Sequence, residues 1–392
     1  MQLYLSHLCN AFVLSALLVP LLSRQAYRIG LVDSPNARKS HLGKVPLVGG
    51  LAMFAAVILT SLTLDGVMTR YSVFFFALTI LVSVGVADDA IDLHAGIKGL
   101  AQAAGALIMT LWGGLIVVNL GAILGPQAVS IPNTGVPFTI ICVIGLINAL
   151  NMMDGEDGLA GGITLTALFW LLIASWLGGA HSSALVISIF AAALSGFLIY
   201  NLRNPWRERA AAFMGDAGSM MLGFALAWFA VDLSQGERPA LTPVTILWIF
   251  ALPAIDATLV ILHRLAHRRS PFAPGVDHLH HALRRRGFSV QKTVAIMVGG
   301  SCLTGALGMG GFWLGLPEWL MFALFVLLVG IYAVTVSHLR ASGDGSVAAS
   351  QARPERRRPR TRYSLRRHAL IREEAPVFAF LKKPHHDSKA QN

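Results

Sequence analysis

Long apolar segments separated by short polar ones recur along most of the chain. Eleven of these segments approach the length of about 20 apolar residues that a helix needs to cross a bilayer. They cover residues 3–23, 45–64, 71–87, 98–118, 135–150, 159–178, 182–200, 218–234, 243–262, 293–313 and 317–337. The pattern therefore predicts an all-α polytopic integral membrane protein with about eleven transmembrane helices.

The composition supports the same class. The chain has 392 residues, of which 55% are hydrophobic and 13% charged, and its mean hydropathy is +0.63. Soluble domains are about 25% charged, and one water-soluble core could not bury this much apolar surface. A secreted, cytosolic or nucleic-acid-binding protein is therefore excluded as the main class.

The basic residues predict the orientation. If the N-terminus lies outside and eleven segments cross in turn, every Lys and Arg except Arg70 and Arg238 lies on the cytoplasmic side. This distribution follows the positive-inside rule, so we predict that the N-terminus lies on the outer side of the membrane and the C-terminus on the cytoplasmic side.

The last part of the chain differs from the rest. Residues 338–392 hold 13 Lys and Arg but only five Asp and Glu, with several prolines and few apolar residues. This composition predicts a basic, disordered cytoplasmic tail after a transmembrane domain of residues 1–337. No aromatic platform for RNA accompanies the arginines, so we expect no nucleic-acid partner.

Acidic residues cluster in three polar segments on the predicted cytoplasmic side. They are Asp88, Asp89, Asp92, Asp154, Asp157 and Asp216. Six carboxylates at one membrane face repel each other, and a hard divalent cation would relieve that repulsion. Mg²⁺ typically takes one or two carboxylates and leaves positions for substrate phosphates.

Other polar residues complete this picture. Asn148 and Asn151 precede Asp154 at intervals of three residues, which places all three on one face of a helix. A later loop carries three histidines and then residues 284–286, all arginine, and the first loop adds two more bases. These five candidates for anion binding are His278, His280, His281, Lys39 and His41. Acids for a metal and bases for phosphates together indicate a phosphorylated substrate.

Each signal also has a simpler interpretation. The three histidines could form a zinc site, and the arginines could enforce topology or bind anionic lipid headgroups. Asp256 lies within the ninth apolar segment. A structural pairing of Asp256 with Arg264 or a neighbouring helix explains it as well as catalysis does.

The order of the motifs resembles that of a known family. DDxxD at Asp88, NxxNxxDGxDGLA at Asn148, GDxGS at Gly215 and a histidine-rich last loop occur in the same order in the polyprenyl-phosphate N-acetylhexosamine-1-phosphate transferase superfamily. Asp92 and the His278–His281 motif are most similar to its bacterial undecaprenyl-phosphate GlcNAc-1-phosphate transferase branch. The resemblance covers residues 24–335.

The resemblance implies an activity. Such enzymes transfer GlcNAc-1-phosphate from UDP-GlcNAc to undecaprenyl phosphate at the cytoplasmic face of the inner membrane and release UMP. The product starts a lipid-linked envelope glycan, such as O-antigen. The implied cofactor is Mg²⁺, with Mn²⁺ as an alternative, and the implied partners are both substrates and the bilayer; homo-oligomerisation stays open.

The resemblance also assigns roles to residues. It implies that Asn151 and Asp216 are metal ligands and that Asp88, Asp89 and Asp92 are catalytic. The substrate-binding candidates are Lys39, His41, Asn148, Asp154, Asp157, Arg264, His278, His280 and His281. Which aspartate is the base, and whether transfer takes one step or two, stay open.

Two alternatives remain. The nearest is the same reaction with another UDP-N-acetylhexosamine. The second is an ion-coupled transporter, in which the acids bind cations and the histidines relay protons. Transporters place such groups near the bilayer midplane, whereas here most acids gather at one predicted membrane face.

Overall fold

The structure is a computed structural model that describes residues 2–33, 43–236, 239–268, 270, 275 and 277–351, and it is 75% helical. The helices are α1 (Gln2–Ile29), α2 (Gly49–Leu62), α3 (Val67–Arg70), α4 (Ser72–Ile91), α5 (Ala95–Leu111), α6 (Gly135–Met153), α7 (Leu159–Leu177), α8 (His181–Asn201), α9 (Gly215–Ser234), α10 (Pro243–Ile249), α11 (Ala251–Ala266), α12 (Leu279–Arg285), α13 (Val290–Trp313) and α14 (Glu318–Gln351). Strands β1 (Val32–Asp33) and β2 (Val45–Pro46) form an antiparallel pair, and a 3-10 turn (Pro132–Thr134) precedes α6.

The chain is a helical polytopic membrane protein. Within the described ranges, eight helices are long and apolar enough to cross a membrane. They are α1, α4, α6, α7, α8, α9, α13 and α14. Helices α10 and α11 pass the same test together, although they meet at 81°, and would make a ninth span if they cross as one.

Two of the predicted spans contain shorter helices. Helix α2 has 14 residues, about 21 Å at 1.5 Å per residue, because Val45 and Pro46 at the start of its apolar segment form β2 instead. Helix α5 has 17 residues and ends before Gly114, whose φ of +68° suits a turn. Both helices are shorter than the hydrocarbon core of about 30 Å.

The ninth predicted span is broken. Helix α10 ends at Ile249, and α11 starts at Ala251 in a different direction. Pro253 lacks an N–H and so cannot donate to the carbonyl of Ile249, but it is well suited to the first turn of a new helix. The proline therefore favours a helix start where the hydropathy pattern predicts one continuous span.

Helix α9 occupies the centre of the bundle. Nearly all of its residues are buried, and it packs against α2, α4, α6 and α7. Phe74 of α4 lies among aromatic side chains of α9, with ring centroids 6.0 Å from Phe224 and 5.1 Å from Trp228. This apolar core fixes how α4 and α9 cross.

Glycines let neighbouring backbones approach the first turn of α9. A Cβ atom on Gly85 of α4 would lie 2.4 Å from Ala217 Cα, and one on Gly50 of α2 would lie 2.2 Å from Gly218 N. No real Cβ contact is this short. The close packing therefore requires glycine at both positions.

The segment that leads into α9 is also held by hydrogen bonds. Phe213 N donates to Pro46 O at 2.9 Å, and Gly50 N donates to Met214 O at 2.9 Å. These bonds attach the β2–α2 connection to the residues just before α9. The polar loops between helices consequently gather around the start of α9.

We predict that Gly85→Ala destabilises the protein, because the added methyl group would push α4 away from α9. Overpacking of this kind typically costs about 1–3 kcal/mol. The matched control is Gly145→Ala on α6, where a Cβ would have no atom within 4 Å. Thermal unfolding of purified protein should show a lower melting temperature for Gly85→Ala alone; equal melting temperatures would contradict the packing argument.

Candidate active site

The Asp89 side chain holds the start of α9. The backbone N–H groups of Asp216 and Ala217 donate to its two carboxylate oxygens at 2.8 and 3.2 Å. First-turn N–H groups have no acceptor within their own helix, and a negative charge is favourable there. Gly215 has a φ of +72°, and a Cβ on it would lie 2.4 Å from Asp89 Oδ2. The glycine of the GDxGS motif thus makes room for this carboxylate.

Lys98 joins two of the predicted site carboxylates. Its Nζ lies 2.9 Å from Asp88 Oδ2 and 3.0 Å from Asp216 Oδ2. Asp88 Oδ1 accepts a hydrogen bond from Leu93 N at 2.7 Å, and Asp216 Oδ1 accepts one from Asn151 Nδ2 at 2.7 Å. Residues from four helices or their ends therefore meet at one charged point.

Asn151 also donates through Nδ2 to Ser219 Oγ at 2.9 Å. We call this group the carboxylate–lysine cluster; it consists of Asp88, Lys98, Asn151, Asp216 and Ser219. Because the Asn151 amide nitrogen faces the other members, its oxygen is the atom available to a cation. The cluster thus offers carboxylate and amide oxygens, the ligands that Mg²⁺ prefers.

The cluster is not a preformed all-protein metal cage. In the described part of the chain, no group of three or more His, Cys, Asp or Glu side chains is arranged to hold a metal ion. Mg²⁺ typically binds through one or two carboxylates and completes its shell with water and substrate phosphates. The donor set here fits that mode of binding.

Two predicted residues lie beside the cluster. Asp92 ends α4 in the left-handed region, with a φ of +54°, and its N–H donates to Asp88 O at 2.8 Å. The Asp92 side chain is exposed. Asn148 lies one turn before Asn151 on α6 and donates to Gln102 Oε1 at 2.8 Å. Asn148 therefore braces α6 against α5.

The loop after α6 carries two more of the predicted aspartates. Asp157 Oδ2 accepts hydrogen bonds from Arg203 Nε at 2.6 Å and from Ala210 N at 3.0 Å. Burial, together with the nearby Asp216 and Asp157 carboxylates, raises the pKa of Asp154 to about 7. Asp157 therefore anchors the loop, whereas Asp154 ionises fully only when positive charge is near.

The same loop contacts the histidine motif. A Cβ on Gly155 would lie 2.7 Å from His280 Nε2, so the imidazole packs directly on the loop backbone. Glu156 Oε1 also forms an ion pair with Arg284 Nε at 3.2 Å. These contacts bring the DGxDG motif and the histidine-rich loop together, as the sequence predicts for one site.

His278 and His280 are buried, His281 is partly buried, and the three rings lie close to one another. The ring centroids of His280 and His281 are 4.0 Å apart. Burial, with a smaller contribution from neighbouring charged groups, lowers the pKa of His280 to about 3 and that of His281 to about 4. Both rings are therefore neutral at pH 7, and each offers one donor and one acceptor instead of a positive charge.

His280 is the most deeply buried of the three. It is 1% exposed, and neither ring nitrogen has a hydrogen-bond partner among the described residues. Buried polar atoms are nearly always satisfied, so this position suits a ligand group. Nearby, Arg264 is 3% exposed and its Nε lies 3.4 Å from Asp277 Oδ2, so a buried cation accompanies the neutral histidines.

Lys39 and His41 lie outside the described residues. The strands on either side of them are paired, with Asp33 opposite Val45. Leu47, just after β2, forms a parallel bridge with Phe213. The ends of the first predicted binding loop are thus attached close to the start of α9. The roles of Lys39 and His41 stay predictions.

Sequence reasoning overlooked several residues in this region. In the sequence, Lys98 is interpreted only as one of the basic residues that set the membrane orientation. It follows Asp92, the last residue of the DDxxD motif, by six residues, and this spacing could have paired it with the motif. Arg203 and Gln102 belong to no motif, and only contact geometry identifies them. Asp256 bonds to His278 at 2.6 Å and to Tyr332 of α14 at 2.6 Å, so the predicted pairing with a neighbouring helix is confirmed and the alternative pairing with Arg264 is not observed among the described residues.

An apolar cavity lies next to the loop. It has a volume of about 590 Å³ and lies between α7, α8 and α13. Asp157 and Arg203 line it together with apolar side chains that include Phe169, Leu198 and Val298. An apolar chain can therefore lie within reach of the polar residues.

The helical bundle and the charged cluster at one of its ends define the class: a polytopic membrane protein with a candidate active site at the ends of its helices. The model of glycosyl transferase family 4 matches residues 71–234, which include the carboxylate–lysine cluster. The undecaprenyl-phosphate alpha-N-acetylglucosaminyl 1-phosphate transferase of Escherichia coli (strain K12) is 33% identical over 84% of this chain and 90% of its own.

Other relatives agree. Proteins of the same name from Yersinia pestis and Haemophilus influenzae are 34% and 33% identical, over 84% and 79% of this chain and 91% and 87% of their own. The chain therefore belongs to glycosyl transferase family 4, with these phosphotransferases as its relatives. The predicted family is confirmed.

We predict that Lys98→Met lowers both the melting temperature and transferase activity, because it leaves Asp88 and Asp216 facing each other without a cation. Removing one partner of a buried ion pair costs about 3–5 kcal/mol, and partial exposure of Lys98 reduces that cost. The control is Lys292→Met, the same change at an exposed site. Thermal unfolding and a transfer assay of both variants test this; a Lys98→Met protein with unchanged properties would remove Lys98 from the site.

The pKa of His280 predicts how stability depends on pH. Because the folded-state pKa is about 3 and the unfolded one about 6.5, this contribution is complete above pH 6.5 and is lost as the pH falls. The loss reaches about 2 kcal/mol by pH 5. Melting temperatures at pH 7 and pH 5 should therefore differ less for His280→Gln than for the wild type. The exposed His181→Gln should behave like the wild type, and an equal pH response of all three proteins would contradict the burial of a neutral His280.

Proposed function

We propose that this enzyme transfers GlcNAc-1-phosphate from UDP-GlcNAc to undecaprenyl phosphate and releases UMP. The observation that carries the proposal is the carboxylate–lysine cluster, which lies at one end of the bundle and is linked to the histidine motif through Gly155. The names of the relatives supply the lipid acceptor and the sugar. The reaction then starts a lipid-linked envelope glycan such as O-antigen.

The proposal includes a topology. The eleven apolar segments cross the inner membrane, with the short helices α2 and α5 and the bent pair α10–α11 counted as crossings. The N-terminus is then periplasmic, and the active site faces the cytoplasm, where UDP-GlcNAc is available. The distribution of Lys and Arg along the chain supports this orientation.

A metal ion fits the donor set of the site. Asn151 and Asp216 would hold Mg²⁺, or Mn²⁺, with the Asn151 oxygen and the Asp216 carboxylate. The ion would neutralise charge on the pyrophosphate and stabilise the departing UMP. Lys98 already supplies one positive charge between Asp88 and Asp216. The two carboxylates therefore keep a net negative charge, which a divalent ion would balance.

The two neighbouring aspartates of DDxxD have different roles in this proposal. Asp89 accepts both of its hydrogen bonds from the start of α9 and so positions Asp216. Asp88 belongs to the ionic cluster with Lys98 and Asp216, and we assign it the role next to the reacting phosphates. The acceptor phosphate has a second pKa of about 6 and is mostly dianionic at neutral pH, so Asp88 contributes mainly through its charge.

Positioning and charge neutralisation account for most of the catalysis of phosphoryl transfer. Attack by an oxygen of the lipid phosphate on the β-phosphorus breaks the bond to UMP. His280 and His281, as neutral imidazoles, hydrogen-bond to phosphate or sugar groups, while Arg264 and Lys98 supply fixed positive charge. The apolar cavity beside Asp157 offers one surface that the lipid chain can follow.

The domain proposal keeps residues 1–337 as the catalytic domain and the basic segment from residue 338 as a cytoplasmic tail. Helix α14 continues beyond this boundary to Gln351, and Arg286 donates to the carbonyls of Leu339 and His338. The first residues of the tail are therefore packed on the catalytic domain. The described residues do not extend beyond Gln351.

The direct test uses purified protein in anionic-lipid vesicles with labelled UDP-GlcNAc, undecaprenyl phosphate and Mg²⁺. We expect chloroform-extractable label and equimolar UMP, with a loss of at least about 100-fold in Asp216→Asn. Asp65→Asn, an exposed acid on the α2–α3 connection, is the matched control and should retain activity.

The same assay separates the alternatives. Label that enters the vesicle lumen without becoming lipid-linked would favour an ion-coupled transporter. Transfer from another UDP-N-acetylhexosamine, but not from UDP-GlcNAc, would retain the reaction and change its sugar. Full activity of Asp216→Asn would overturn the assignment of the metal site.

A further inference from the structure

A second polar network lies behind the histidine motif and is centred on Asp256 of α11. This carboxylate is 1% exposed and accepts three hydrogen bonds. His278 Nδ1 lies 2.6 Å from Oδ2, while Leu279 N at 3.0 Å and Tyr332 Oη at 2.6 Å donate to Oδ1. A carboxylate within an apolar helix is costly to bury, and this one is bonded to both the histidine loop and α14.

The contact with His278 determines which ring nitrogen carries the proton. An ionised carboxylate can only accept hydrogen bonds, so His278 must donate from Nδ1. In the neutral ring the lone pair then belongs to Nε2. Second partners of this kind fix the tautomer and the orientation of functional histidines in other enzymes.

Asp256 also fixes the backbone on which the motif is built. Leu279 is the first residue of α12, and its N–H has no acceptor within that helix. Asp256 supplies this acceptor from a different helix. The same atom, Oδ1, binds the hydroxyl of Tyr332, so α11 and α14 together determine where α12 begins.

Helix α14 makes a further contact with the same segment. Arg340 donates to the carbonyl oxygen of Asp277, the residue before His278. Residues 277–279 are thus held from two sides, by Asp256 and by α14. The neighbouring His280 ring lies parallel to that of His278, with centroids 5.6 Å apart, so the orientation of His278 also affects its neighbour.

We propose that Asp256 is a positioning residue for the transfer reaction: it holds His278 in the Nδ1–H form and so presents Nε2 as a hydrogen-bond acceptor to the phosphorylated substrates. Tyr332 orients the Asp256 carboxylate. The inference rests on the proposed function, since it gives the network a role in that reaction. It also predicts a tautomer that can be measured without any turnover.

Asp256→Asn is the main test, because asparagine keeps the shape but can present an N–H to His278. The ring would then carry its proton on Nε2 and lose the acceptor. We expect kcat to fall by about 100-fold or more, while KM for UDP-GlcNAc changes by less than about threefold. Tyr332→Phe should cost about 10-fold or less, since the bond between Asp256 and His278 remains.

A matched control and a double variant separate positioning from folding. Asp232→Asn changes another aspartate within a span, one that is partly buried and accepts a hydrogen bond from Ser183 at 2.7 Å, and should leave kcat unchanged. His278→Gln should lose as much activity as the double variant Asp256→Asn/His278→Gln, because Asp256 acts through His278. Additive losses in the double variant would overturn the proposal, as would an Asp256→Asn protein with a kcat within threefold of the wild type.

The independent measurement is a ¹⁵N spectrum of the wild-type protein with labelled histidine, with His278 assigned from the His278→Gln variant. A neutral ring with its proton on Nδ1 supports the proposal. A proton on Nε2, in either a neutral or a doubly protonated ring, overturns it. This measurement on the wild-type protein does not depend on whether the Asp256→Asn variant folds. It also stands apart from the proposed function: absence of GlcNAc-1-phosphate transfer in the wild type would refute that activity, whereas the spectrum still tests the contact between Asp256 and His278.

Discussion

The bond between Asp89 and the first turn of α9 is the contact on which the site depends. Helix α9 begins inside the protein, where the N–H groups of its first turn would otherwise lack acceptors. The carboxylate satisfies two of them, and Gly215 leaves room for it. Since Asp216 is the second residue of α9, this anchor also determines where Asp216 meets Asp88 and Lys98. Asp89, near the end of α4, thus stabilises the start of α9 and also positions Asp216 in the candidate active site.

Charge balance explains why these residues occur together. Asp88 and Asp216 lie close enough to share one ammonium group, and Asp154 nearby has a pKa raised to about 7 by burial and by neighbouring carboxylates. One lysine cannot neutralise three acids and the phosphates of two substrates. The buried cation Arg264 lies on the side of the histidine loop, so the carboxylate side still carries an excess of negative charge. A divalent ion with oxygen ligands would balance this excess, which is the physical argument for Mg²⁺ in the proposed reaction.

Much of this arrangement could be predicted from sequence because the motifs follow each other at the ends of apolar segments. Their order indicated the family, and the conclusion that Asp88, Asn151 and Asp216 share a site needed only the positions of the segments. Helix lengths were harder to predict: hydropathy counts Val45 and Pro46 as apolar, but their backbone pairs with neighbouring segments as a strand. Lys98 was missed because a basic residue near a membrane is also explained by topology. The partner of Asp256 depends on a tertiary contact across 22 residues, which local spacing does not reveal.

In the proposed function, the neutral histidines change how the last loop would recognise phosphate. Three histidines followed by three arginines suggest a strongly positive surface, yet burial keeps His280 and His281 uncharged at pH 7. A neutral imidazole can orient a substrate through one donor and one acceptor, and it adds no net charge to a site that, in the proposed reaction, also releases UMP. Directional hydrogen bonds are only as accurate as the groups that hold the ring. Residues 277–280 are accordingly held by contacts from α11, α14 and the DGxDG segment, and in the proposed function these contacts allow uncharged histidines to contribute to specificity.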